Sequence, residues 1–549
     1  MPAGADAGED RAAGGNGDRI GAPMQGAFAG ADAGSNSDTS DAGADDAAVS
    51  TAGGAGGESG TAGELAGQAG TISEPPCVLG ADSALKCSVS LEVSGLNSKG
   101  LVLRNNQGDE LSIPENGRFV FSAALPAGSP YHVSVASQPT PSIQTCSVLN
   151  ADGVLDAQSA TPVRVKCSPW TKVFGSDDSD AAYGITGDGL GNIYVVGFTN
   201  GALNGQENAG GSDGFLEKFS ANGNLLWTRQ LGSAGDDFAE AVATDARGNV
   251  YVAGYTLRGF DQSDADQGST FIAKYDARGN RRWLRQQGAG FGYLFGLATD
   301  AAGNSYAVGY SEGDVDGNVG FGSRDVILVK CDTDGNKLWT RVLGTSGEDF
   351  GYAVALSANS NVLVTGFVGG SLDNPPRLGD GNAFLAAYSA SGKPLWSRQF
   401  GNAKQDLARR VATDSQNHIY VTGSTGNLSG EGIGPFVMRW DSSGTLEWTQ
   451  PGGGGEHGAL AVDAEDHAYV TRPAPGDNIL VRKLDALGKT VWDRQFGNGW
   501  GVLWSNAMAL DQAGDLYIAG YTNGSLDNNS ALGVSDAFIV KYDRDGTKQ

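Results

Sequence analysis

The sequence predicts an all-β chain: a seven-bladed β-propeller, preceded by a small disulfide-bonded β-sandwich and a disordered N-terminal tether. Three observations carry this reading. Trp170, Trp227, Trp283, Trp339, Trp396, Trp448 and Trp492 recur at intervals of 44 to 57 residues, within the range of propeller-blade repeats. Each interval holds four strand-sized runs bounded by Gly-containing turns, which is propeller composition. The apolar spacing near 3.6 that a helical repeat needs is absent.

The tether comes first. Residues 1–74 are Ala, Gly, Ser and Asp, with Phe28 the only aromatic and Arg11 and Arg19 the only bases. Such a segment buries too little apolar surface to offset its ordering entropy, and its composition fits a flexible linker. Met1 to Gly15 shows no basic region followed by an apolar run, so no signal peptide is visible. No apolar stretch reaches the roughly 18 residues of a membrane-spanning helix. The whole chain has 549 residues, 86 of them Gly, and a net charge of -26. That balance disfavours nucleic acid and anionic lipid as partners, because like charges repel.

Residues 75–168 read as the small β-sandwich. Short alternating runs start at Ser88, Leu101, Arg118, Tyr131 and Val163, with turn signals such as Asn105-Asn-Gln-Gly between them. Cys77, Cys87, Cys146 and Cys167 lie in this segment. Four cysteines allow three pairings, and none of the spacings is that of a CxxC zinc site. The expected bonds are Cys77–Cys87 and Cys146–Cys167, which implies an oxidising compartment. Cys331 stands alone, at a strand position where other repeats carry Tyr275, Tyr388 or Trp440, and reads as a core thiol.

Residues 169–549 are the propeller. In one unit the runs are Ala241-Val-Ala-Thr, Asn249-Val-Tyr-Val-Ala-Gly-Tyr, Phe271-Ile-Ala-Lys-Tyr and a fourth containing Trp283. The first two meet at Asp245-Ala-Arg-Gly-Asn and the last two at Asp276-Ala-Arg-Gly-Asn, each with Gly at the positive-φ position of a short hairpin. The domain opens on a lone fourth-type strand, Trp170-Thr-Lys-Val-Phe, and ends on a third-type strand, Ala537-Phe-Ile-Val-Lys-Tyr. Residues 170–175 are therefore expected to complete the blade built from 503–549, covering an open edge.

The units Gly248-Asn-Val-Tyr-Val-Ala-Gly, Gly191-Asn-Ile-Tyr-Val-Val-Gly and Ser535-Asp-Ala-Phe-Ile-Val-Lys resemble the bacterial SBBP family of seven-bladed β-propeller repeats. The small domain, with Gly100-Leu-Val-Leu-Arg-Asn-Asn and Thr145-Cys-Ser-Val, looks like a β domain of bacterial surface lipoproteins. The resemblance implies a cell-envelope or secreted setting and supplies no catalytic residues.

The connections from second to third strand are longer than the hairpins, and variable loops on a rigid frame are where function concentrates. Asp180, Asp237, Asp349 and Asp406 recur where the chain enters a first strand. They form either a carboxylate ring for a cation or caps that bind their own loops. Three residues onward stand Tyr183, Glu240, Phe295, Tyr352, Arg409, Gly458 and Asn506. This varied set either lines a pocket at the channel mouth or packs between blades. Trp500 and Trp504 are extra to the pattern and suit stacking on a sugar or peptide, or filling space. Asp314-Val-Asp-Gly-Asn-Val-Gly, with Asp325 at the twelfth position, partly matches a calcium loop. Its ligands would be Asp314, Asp316, Asn318 and Asp325, although Val319 replaces the turn glycine and no helices flank it. Calcium is the one ion given a place, and no other cofactor is indicated.

The four histidines, His132, His418, His457 and His467, form no metal-type cluster in sequence, and no nucleophile elbow or phosphate loop occurs. The expected function is non-enzymatic: a monomeric binding or scaffolding protein presenting its loop face to a protein, peptide or glycan. The alternatives are a lyase or hydrolase at the channel mouth, and a structural spacer.

Overall fold

The computed structural model describes residues 77–79, 85–96, 99–106, 108–139, 145–155, 162–168, 170–221, 223–260, 268–287, 291–372, 381–401, 405–425, 434–451, 458–497, 501–527 and 529–549. The expected tether, 1–74, lies outside them. Every element among the described residues is a strand, as the period-two runs require. No helix among them is long and apolar enough to cross a membrane.

In the small N-terminal region two four-stranded sheets share one core. One runs Asp152–Val154, Pro130–Ser137, Leu101–Asn105, Asp109–Ile113; the other Gly117–Val120, Ser90–Ser94, Val163–Ser168, Thr145–Leu149. Alternate residues point inward: Leu91 and Val93, Leu101 and Leu103, Val163 and Val165 are all buried. Ser90–Ser94 and Val163–Ser168 run parallel. Both disulfides are Cys77–Cys87 and Cys146–Cys167, and each joins residues directly opposite in a strand pair. Closing such loops constrains the unfolded chain and contributes about 2–4 kcal/mol each.

From residue 172 onward the described strands form seven four-stranded sheets. In six, the chain runs through four consecutive antiparallel strands, as in Asp180–Gly187, Ile193–Thr199, Asp213–Phe219 and Leu225–Leu231. The second and third strands are buried throughout in three of these sheets and mostly buried in the others, and the fourth is only partly buried. The remaining sheet is built from both ends of this region. Leu503–Leu510, Leu516–Thr522 and Asp536–Tyr542 come from the end. Lys172–Phe174 adds the fourth strand, with Val173 opposite Phe538. First strands of successive sheets touch, and Leu503–Leu510 touches Asp180–Gly187, so the sheets close into a ring.

Two local devices order the hairpins and tie each sheet to the next. The turn acids bind their own hairpins: Asp188 accepts from the N–H groups of Leu190 and Asn192, from the Asn192 amide and from the Tyr194 hydroxyl. The outer-strand tryptophans then reach the next sheet. Trp227 Nε1 donates to Ala277 O at 3.3 Å and Trp283 Nε1 to Thr333 O at 2.9 Å. Trp448 reaches Ala486 O, and Trp170, just before the closing strand, reaches Ala221 O. Arginines two residues onward do the same: Arg229 to Gly279 O at 2.7 Å and Arg494 to Gly546 O at 2.7 Å.

The first strands begin earlier than the apolar runs suggest. The run Ala241-Val-Ala-Thr is the end of Asp237–Thr244. A bulge shifts the register between Ala239 and Ala241, and an extra residue breaks the alternation on which sequence reading depends.

Candidate functional site

The bulge recurs at the same place in six first strands among the described residues. The residue it sets apart is Tyr183, Glu240, Phe295, Tyr352, Arg409 or Asn506 in turn. A bulge kinks the strand and re-aims a side chain. These are the residues the sequence singles out by their variety at one repeat position.

The structure brings them together at the ring's inner face. Phe295 packs against Tyr352 with centroids 5.7 Å apart, and the Arg409 guanidinium lies over the Tyr352 ring at 5.1 Å. Tyr293 stacks between Tyr255 and Phe295 and donates its hydroxyl to Glu240 at 2.8 Å. Burial, with the Glu240 carboxylate adding to it, pushes the Tyr183 and Tyr293 phenols well above their ordinary value. Asn506 donates to Ala182 O at 2.9 Å, linking the first and last sheets. Beside Arg409, the Arg410 side chain bonds Asn506 O at 2.5 Å and Arg409 O at 3.0 Å. Burial and the Arg409 charge lower Arg410 to about 10, against the opposing pull of Glu240. The ring is thus aromatic over the sheets of Tyr183, Phe295 and Tyr352, acidic at Glu240 and cationic at Arg409 and Arg410. At Gly458 there is no bulge, and a Cβ there would meet Ser505 O at 2.0 Å.

The entry acids are buried. Asp180, Asp237, Asp349 and Asp406 are each 0% exposed. Asp180 Oδ2 accepts from Ser176 N and Oγ, Asp237 Oδ2 from Ser233 N and Oγ, and Asp349 from Thr345 N and Oγ1. This is loop capping. Third strands begin with equally buried Asp213, Asp325 and Asp536; of these the sequence singled out only Asp325, as a ligand of the calcium-like loop.

The residues of the calcium-like loop point to different partners. Asp316, at φ 52, takes Lys337 Nζ at 2.6 Å and Thr340 Oγ1 at 2.5 Å. Asp314 accepts from Gly320 N, Asn318 donates to Val315 O, and buried Asp325 accepts from Phe321 N. Asn204 and Asp527 recur at comparable positive-φ turns, Asp527 taking Thr171 and Lys548. Among the described residues the only group of three ligand-type side chains is Asp463, Glu465 and His467. There Asp463 is already bonded by His467, Tyr469 and Lys483.

His418 and His467 occupy hairpin positions held by Asn192 and Asn249 elsewhere, and their Nδ1 atoms meet the turn acids Asp414 and Asp463 in the same way. His132 pairs with exposed Asp152, and His457 lies outside the described residues, as does Trp500. Trp504 is 37% exposed on its first strand. Cys331 is buried, which pushes its thiol up to about 11, the behaviour of a core cysteine. One further acid went unnoticed in sequence. Glu217, 1% exposed, is held by Asn204 and Thr228, and burial pushes it up to about 7.

The family described as SBBP, "Beta-propeller repeat", matches residues 226–261, 395–428 and 491–527. The chain therefore carries SBBP β-propeller repeats at these three places. Among curated proteins it is similar to "Regulatory protein FlaEY" of Caulobacter vibrioides, 28% identical over 283 residues, 44% of this chain and 29% of that protein. It is also similar to "Uncharacterized WD repeat-containing protein L264" of Acanthamoeba polyphaga mimivirus, 23% identical over 323 residues, 55% of this chain and 19% of that one. The chain spans less than a third of the length of these relatives. Among solved structures, the Pan2 WD40 domain of Neurospora crassa aligns at TM-score 0.41 and 10% identity, covering 65% of this chain and 88% of that one. The β-propeller domain of the Trilobed protease from Pyrococcus furiosus aligns at 0.39 and 8%, covering 66% and 92%.

Proposed function

We propose that residues 169–549 are a seven-bladed β-propeller acting as a non-enzymatic binding scaffold, with the ring of bulge residues as the recognition site for a protein, peptide or glycan. One observation carries this reading. The frame repeats, while the bulge residue takes five different types over six sheets: Tyr183, Glu240, Phe295, Tyr352, Arg409 and Asn506. Packing alone is served by one residue type repeated; a mixed aromatic, acidic and cationic set suits recognition of one asymmetric ligand. The setting we propose is the cell envelope or exterior, supported by two disulfides.

Arrays of glycans and of envelope and cytosolic peptides, probed with the full chain, test both points. The expected result is a binder that loses about tenfold or more in affinity, roughly 1.4 kcal/mol, in Arg409→Ala and in Tyr352→Ala. Binding unchanged in both variants removes the site, and binders confined to cytosolic material remove the setting.

A further inference from the structure

The entry acids and the acids that open the third strands meet in pairs across sheet boundaries. Asp237 N donates to Ser212 O at 2.6 Å, which sets Asp213 beside Asp237. Asp180 N donates to Ser535 O at 2.8 Å, which sets Asp536 beside Asp180 at the seam between the two ends of the ring. All four side chains are 0% exposed. In each, Oδ2 accepts hydrogen bonds: Asp213 from Ala209 N and Gln230 Nε2, Asp536 from Leu532 N and Gly533 N, the other two from Ser233 and Ser176. In each, Oδ1 is buried without a partner. Four orphaned carboxylate oxygens in two pairs would be costly if all four groups were ionised.

A third boundary shows what can stand in place of the orphaned Oδ1 of the third-strand acid. There Asn382 stands where Asp213 and Asp536 stand, and Asp406 where Asp237 and Asp180 stand. Asp406 N donates to Gly381 O at 3.2 Å, repeating the backbone link. Gln399 donates to Asn382 Oδ1 at 3.0 Å, as Gln230 does to Asp213. The remaining amide nitrogen, Asn382 Nδ2, points at Asp406 Oδ2 at 3.5 Å. One neutral donor facing one carboxylate is therefore a native state of this site. Where the first strand opens on an apolar residue instead, at Phe291 and Leu503, the preceding third strand opens on neutral Ser269 and Asn478. An acid opens both strands at the two boundaries above and at Asp325 with Asp349, and Asn382 faces an acid at one more.

We propose that Asp213 with Asp237, and Asp536 with Asp180, each share a single proton, one carboxylic acid donating to one carboxylate across the sheet boundary. The proton takes the place of the Asn382 amide hydrogen, and the two bonds clasp the first sheet on both sides. When the proton leaves for solvent at higher pH, two buried carboxylates face each other and the boundary weakens. Burial, with Asp213 adding to it, pushes Asp237 up to about 6 despite the Thr256 and Ser233 hydroxyls, and burial and Asp536 raise Asp180. The titratable groups around the pairs are Asp236 and Tyr255 for the first and Glu217 and Asp178 for the second, and these do not supply a positive charge to hold a second ionised carboxylate.

The test uses the full chain carrying Glu217→Gln, which removes the buried Glu217 carboxyl and its titration at about 7. Melting temperature is followed from about pH 5 to about pH 8. The parent should lose stability as pH rises through about 6, whereas Asp213→Asn should flatten that loss and melt about 2–4 °C higher at the alkaline end. Asp213→Ala, which leaves Asp237 without a donor, should melt lower throughout. Equal loss in Asp213→Asn and Asp213→Ala overturns the proposal. A second readout is independent of folding strength: the infrared C=O stretch of a protonated carboxylic acid at neutral pH, lost in Asp213→Asn with Asp536→Asn. Its absence from the parent overturns the shared proton. So does a rise in melting temperature on adding calcium chloride to the EDTA-dialysed parent that Asp213→Asn abolishes, because the pairs would then hold a cation.

Discussion

Glu217 shows how much one side chain's surroundings decide. At its position in the third strand the other sheets carry Ala273, Val329, Ala386, Met438, Arg482 and Val540. A charged residue in an otherwise mostly apolar column was the available signal, and it becomes visible only when the repeats are aligned strand by strand. The structure buries it, and its folded pKa of about 7 lies above that of an exposed Glu. The folded state therefore binds the proton more tightly than the unfolded chain. The resulting stabilisation is present in full below about pH 4 and is lost as pH rises through about 7. Glu217→Gln keeps the bonds to Asn204 and Thr228 within reach and removes the titration. It should raise stability at about pH 8 by an amount on the order of 2 kcal/mol, and leave stability at about pH 4 nearly unchanged. Denaturant melts at the two pH values measure this; equal effects at both would show that the carboxyl does not titrate on folding.

The hairpins were the most legible elements, because Asp-x-x-Gly-Asn turns carry their own geometry: a capping acid and a glycine at positive φ. The second duty of those glycines was hidden, since it depends on a residue some fifty positions away in the chain. Gly335, at φ +78, lies under the Trp283 ring, where an added Cβ would meet ring carbon at 2.8 Å. Gly313, at φ +92, has nothing within 4 Å of the same added atom. The two separate backbone strain from packing. Gly313→Ala should cost about 1–2 kcal/mol, the price of a left-handed non-glycine residue. Gly335→Ala should cost clearly more, because it also dislodges Trp283 from its bond to Thr333 O. Chemical denaturation of both variants checks the difference, and equal losses would mean that the tryptophan shifts without penalty. The bulges were legible only as a variable column. Their geometry was not, because one inserted residue inverts the inward-outward pattern that betrays a strand.

At the scale of the molecule, ring closure depends on a strand far from its neighbours in sequence. Lys172–Phe174 pairs with Asp536–Tyr542, Trp170 packs edge-on against Tyr517 at 5.0 Å, and Asn529 reaches Thr171 O at 3.2 Å. The phase of the repeat pointed to this pairing, since the chain begins on a fourth-type strand and ends without one. The buried acid pair at the same seam had no sequence signal beyond its recurrence, because which two acids meet is fixed by ring geometry. Closure by so distant a strand predicts a global effect from a local change. Val173→Pro places a proline opposite Phe538 in the middle of the closing strand and loosens the edge of the last sheet. If the strand closes the ring, the variant should lower the melting temperature of all the sheets together, and amide exchange should accelerate in Asp180–Gly187 as well as in Asp536–Tyr542, the two sides of the seam. The same substitution on an outer strand that closes nothing, Leu226→Pro, should speed exchange mainly within its own sheet. Matching exchange patterns from the two variants would show that the ring gains nothing special from its closing strand.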